Sequence, residues 1–200
     1  STFPEFQALD ALAKDAERVT PKEFDDALKK IDDDETGHKF ALARALLAHT
    51  EKHEGELRAE YAIHATKRAS ELLYQPFMRT LLRLFCAAKK KKAQDFYGMD
   101  YGQVLCILRD WHFSKEYPNL LDEDAVLFRN ADAHEHWDYF FETDEVVVWD
   151  RNTTKRKRLT VDALLQRLLV RDRLRVVLVG LRRSLLSRRQ PLLGRRLRRL

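Results

Sequence analysis

Arg129, Asn130 and His134 fall within the segment Leu127-Phe128-Arg129-Asn130-Ala131-Asp132-Ala133-His134. A histidine titrates near neutrality and can take or deliver a proton. An arginine clamps phosphate oxygens as negative charge builds on them. The Asn130 amide can orient either the imidazole or the phosphate. Together these types suit proton transfer at a phosphate ester without a metal ion. Asn130 and His134 are four apart and share a helix face. Arg129 and His134 are five apart and lie about 140° from each other around a straight helix. A distorted helix end, or a dimer joining two motifs, would bring them together.

Other chemistry-bearing patterns are missing or incomplete. The chain has no glycine-rich phosphate loop, no GxGxxG, no HExxH and no GxSxG. Cys86 and Cys106 form no CxxC pair and read as buried free thiols of a reducing cytosol. His49 and His53 have the four-residue spacing of helical metal ligands, but no third ligand is evident, so they read as two exposed histidines. His134 and His136 are two apart and do not share a helix face. Arg44 with His49 and Arg58 with His64 repeat the Arg–His spacing or nearly so, but alanine follows each arginine and no strand-like run comes after.

The elements that must position these residues are mostly helical. Only 6 Gly and 5 Pro punctuate 200 residues, and 34% of the chain is charged, which suits long helices with solvated faces. Thr20-Pro21-Lys22-Glu23 reads as a helix start, with Thr20 as the cap. Residues 1–37 read as an acidic helical appendage, 38–187 as the main helical domain, and 188–200 as a basic tail. Gly55 and Pro76 are expected to interrupt the helices between 38 and 92. Leu120 to His136 is expected as the helix that carries the motif. After it the period changes: Asp144 to Trp149 and Lys155 to Thr160 read as a small β-hairpin over about 144–160. Thr160 or Asp162 then starts a last helix running towards Ser187. The fold class is therefore all-α: a bundle of five or more helices with one small hairpin after the motif helix. The longest apolar stretch near the end, Val176 to Leu181, is too short to span a bilayer, so no membrane is expected and the chain reads as cytoplasmic.

Charge is unevenly distributed. Residues 151–200 carry 17 Lys/Arg against two Asp/Glu, a net of +15, which leaves −10 on residues 1–150 of the whole-chain +5. A basic end on an acidic body favours a polyanionic partner.

The R-N-x3-H motif, with a hydrophobic helix before it, a hairpin after it and a closing helix, resembles the HEPN superfamily over roughly residues 40–187. The resemblance implies a metal-independent RNA endonuclease, a defence or stress effector that needs no cofactor. It implies a homodimer whose two motifs build one site, with RNA as substrate and an antitoxin or a fused sensor domain as further partners. His134 would be the general acid/base, Arg129 the phosphate clamp and Asn130 the orienting residue, with 2′,3′-cyclic phosphate and 5′-OH ends as products. Asp132, Glu135 and His136 flank the motif as candidate substrate contacts. Lys155, Arg156, Lys157 and Arg158 on the hairpin would steer RNA, or equally guard an exposed edge. Trp137, Tyr139, Phe140 and Phe141 read as core or dimer interface before they read as base-stacking platforms. The alternatives are a non-catalytic binding or dimerisation module for a nucleotide, an antitoxin or a neighbouring domain, and a scaffold whose basic end binds nucleic acid or membrane.

Overall fold

The structure, a computed structural model, describes residues 4–29, 36–91, 96, 98–151, 154–168 and 180; for 36–40 and 43 it describes the backbone alone. Helix α1 (Pro4–Val19) begins on a proline, whose missing N–H is no loss in a first turn. Its Leu9, Leu12, Ala13 and Ala16 recur at helical spacing, and all are buried. Helix α2 (Pro21–Lys29) buries Phe24, Ala27 and Leu28 in the same way. The Thr20 hydroxyl, expected to cap α2, donates to the Ala87 carbonyl at 2.9 Å and ties the α1–α2 corner to a distant helix. Residues 4–29 therefore share a core with the helices that follow, rather than standing apart as an appendage.

Helix α3 (Thr36–Thr50) is followed by α4 (Gly55–Ala69), which opens on Gly55 at φ +58°. The chain then stays helical through a π-helical segment, Ser70–Tyr74, into α5 (Gln75–Ala88). Pro76 was expected as a junction, and α5 does open with it in its first turn. A proline ring crowds the carbonyl four residues back and offers no N–H. Here the preceding turn widens instead, and the Gln75 N–H donates to the Ser70 carbonyl, five residues back. One additional residue in a turn rotates the buried face by about 100°. The buried residues of this rod up to Leu73 belong to one hydrophobic core, and those from Tyr74 onward to the other.

The first core gathers α1, α2, α5, α6 (Tyr101–Asp110) and α7 (Phe113–Glu116). Asp100 caps α6 in a reciprocal box with Gln103. The second core gathers α4, α8 (Ala125–His134), one face of a sheet and a helical stretch over 161–168. The sheet is antiparallel, in the order β1 (Trp137–Phe140), β2 (Glu145–Trp149), β3 (Arg156–Thr160). The expected hairpin is its β2–β3 half. The aromatic run adds a third strand, pairing Trp137 with Val148 and Phe140 with Glu145. Val146 and Val148 bury the inner face of β2, and Val161, Leu164, Leu165 and Leu168 cover it from the closing stretch. Of the two expected starts for that stretch, Thr160 serves, accepting the Ala163 N–H at 3.1 Å.

The chain is thus mainly α with a small three-stranded sheet. Among the described residues no helix is long and apolar enough to cross a membrane. The continuation of the last helix towards Ser187 and the basic tail 188–200 lie outside the described residues.

Candidate active site on the motif helix

Helix α8 is shorter than its pattern suggested, 125–134 rather than 120–136. Asp124 precedes it. Glu135 ends it in the left-handed region at φ 53°, and the His136 N–H closes back on the Ala131 carbonyl at 2.9 Å. Leu127, Phe128 and Ala131 face inward and are buried. The polar motif residues occupy what remains of the surface.

Two of them turn toward α4 and its π-helical continuation. Arg129 Nε lies 3.6 Å from Glu71 Oε1, with both side chains about one-third exposed. One turn on, the Asp132 carboxylate is 3.0 Å from Lys67 Nζ and 3.5 Å from His64 Nδ1. The seam between the helices therefore carries His64, Lys67 and Glu71 opposite Asp132 and Arg129. His64, Lys67 and Glu71 were not singled out from the sequence as part of this site. They lie some 60 residues before the motif, and nothing local marks them.

Asn130 is half-buried and His134 is exposed at the last residue of the helix. By helical geometry they point about 40° apart, while Arg129 is well round the cylinder toward α4. Within one chain the arginine and the histidine thus face different ways. Glu135 is exposed on the cap.

His136 was a candidate substrate contact, but it sits behind the motif. Its side chain is buried, its ring stacks on Trp149 at 6.1 Å, and its Nε2 has no hydrogen-bond partner among the described residues. Burial lowers its pKa, with the positive charge of Arg151 and the neighbouring His134 adding to the effect and Asp150 opposing it. The ring lies 5.5 Å from that of His134, and its carbonyl accepts the Trp149 N–H, so it joins the helix end to the sheet.

The basic segment divides by strand alternation. Lys155 and Lys157 both reach Asp124 at 2.9 Å, where Arg167 joins them at 3.3 Å and also holds Asp122 at 3.0 Å. Burial alone would raise the Asp124 pKa, but these three cations outweigh it and hold the carboxyl well below the usual range. Arg158 turns the other way, to Glu145 at 2.6 Å, with its guanidinium 5.0 Å from the Phe140 ring centroid. Arg156 is exposed. Asp124 and Arg167, absent from the sequence candidates, thus fasten the sheet and the closing stretch to the start of the motif helix. Phe140 and Phe141 remain exposed.

Among the described residues no group of three or more His, Cys, Asp or Glu side chains is arranged to hold a metal ion. No protein-family model matches the chain, and no curated protein or solved structure matches it.

Proposed function

We propose that the chain is a HEPN-type, metal-independent RNA endonuclease, acting as a defence or stress effector in the cytoplasm. The observation that carries this reading is the setting of R-N-x3-H. The motif fills the last turns of a helix, ends on an exposed histidine, and is followed by a sheet fastened to the start of that helix. His134 acts as general acid/base on the 2′-OH or the leaving oxygen. Arg129 neutralises the phosphate, and Asn130 orients one of the two. Arg129 and His134 diverge around α8, so a homodimer supplies the arginine of one copy to the histidine of the other. An antitoxin or a fused sensor domain would hold such a pair in check.

A second reading has its own observation. Arg129 already faces Glu71, an arrangement that a binding or dimerisation module without catalysis would also show. Cleavage of a labelled single-stranded RNA in EDTA, by the wild-type chain, Arg129→Ala and His134→Ala, separates them. The nuclease reading expects wild-type cleavage with cyclic-phosphate ends, lost in both variants while their circular dichroism is unchanged. Cleavage that survives in both variants, or none by a dimeric wild-type chain, would sink it.

A further inference from the structure

We propose that His49 and His53 form a two-histidine site for a divalent transition-metal ion of the zinc class, at the corner between α3 and α4. The site is remote in sequence from the motif and does not depend on the nuclease reading.

The spacing is made by the way α3 ends. Glu51 N–H still bonds the Leu47 carbonyl, and then Lys52 N–H bonds that of His49 and His53 N–H that of Thr50, so the backbone keeps turning past the last residue of the helix. Thr50 is buried, and its hydroxyl donates to the Leu46 carbonyl at 2.9 Å, which anchors the turn. His53 is thereby returned to the side of His49, and the two Nε2 atoms stand 3.3 Å apart. A tetrahedral zinc ion with Zn–N bonds of 2.0–2.1 Å spans adjacent nitrogens by about 3.3–3.4 Å. The bite of the pair matches that requirement.

Both rings are held from outside. Tyr61 on α4 stacks on His53, with centroids 4.6 Å apart and planes at 16°, and meets His49 edge-on at 4.7 Å and 85°. One phenol therefore fixes two imidazoles in the chelating arrangement, and less side-chain freedom is lost when an ion binds. His49 is exposed and His53 half-buried, so an ion has access and water can complete its shell. His53 also borders an open cavity of about 490 Å³ whose lining sets Glu51, Glu54 and Asp144 against Arg58, a net negative charge that favours a cation there. Imidazole donors select zinc, copper or nickel over magnesium and calcium. A bound ion would fasten the end of α3 to the loop entering α4.

The same 3.3 Å also fits one imidazole donating to the other with no ion involved, and the experiment decides between the two. The full chain is titrated calorimetrically with zinc chloride, and separately with nickel chloride, in a non-coordinating buffer. The expected result is one ion per chain, with affinity reduced at least about tenfold in His49→Gln and in His53→Gln. A His64→Gln/His134→Gln chain should bind as the wild type does. Zinc should raise the melting temperature of the wild type and of that control, but of neither site variant. Both substitutions are at accessible positions, and circular dichroism confirms that each variant is folded. Wild-type affinity in either site variant, loss of binding in the control instead, or no binding to the wild type at millimolar zinc would overturn the proposal.

Discussion

Asp124→Asn removes one charge from the place where the motif helix, the sheet and the closing stretch are joined. The magnitude follows from exposure. The Lys155 and Lys157 side chains are 45% and 44% exposed, so each pair is screened by water and is worth about 0.2–1 kcal/mol. Arg167 keeps Asp122 when Asp124 is neutral, so its loss is partial. Asp124 is itself only 16% exposed and stands at the N-terminal end of α8, where a carboxylate adds about 0.3–1 kcal/mol. The total is about 1–3 kcal/mol, read as a shift in the urea midpoint with an unchanged slope. The pH dependence is the sharper test. The folded carboxyl is held below its unfolded value of about 3.9. Its contribution is therefore complete above that pH and fades as pH falls toward the folded value. The stabilities of the wild-type chain and Asp124→Asn should draw progressively together as pH falls below about 4. A difference below about 0.5 kcal/mol at pH 7, or one that stays constant down to acid pH, would refute the reasoning.

Three further outcomes follow from the packing. Phe128→Ala empties a fully buried site on the motif helix and removes the ring that lies 5.0 Å from the Arg167 guanidinium; chemical denaturation should show a loss of about 3–5 kcal/mol. Gly55→Ala places a methyl group 3.9 Å from Phe141 Cε2, an ordinary contact, so only the positive φ is penalised; thermal unfolding should report about 1 kcal/mol. His136→Phe keeps the stack on Trp149 and removes the buried Nε2, which has no partner among the described residues. Because burial lowers the His136 pKa, the native state binds fewer protons there, and wild-type stability falls as pH drops below about 6.5. Melting curves from pH 8 to pH 5 should show a shallower decline in the variant.

Much of the local structure was legible in the residues themselves. The helix start at Pro21, the start of the closing stretch at Thr160, the β2–β3 pairing and the predominance of helix all follow from period and capping chemistry over a few neighbours. β1 was missed because Trp137-Asp138-Tyr139-Phe140 reads equally as a core aromatic run; its pairing partner, β2, decides it. Pro76 marked the junction where α5 begins, but the π turn that joins α4 to α5 without a break leaves no local signal in the sequence. The candidate site divides in the same way. Arg129, Asn130 and His134 are adjacent enough to be found by spacing. Glu71, Lys67 and His64 reach the motif only because α4 packs against α8, and Arg167 reaches Asp124 only because the closing stretch folds back over the sheet. Sequence alone determined which side-chain types the motif helix carries and how they are spaced, since residue type and helical spacing are local. Tertiary structure decided which charges face that helix, which histidine is buried and which exposed, and which two imidazoles meet across a turn, because each of those depends on what a distant segment packs against.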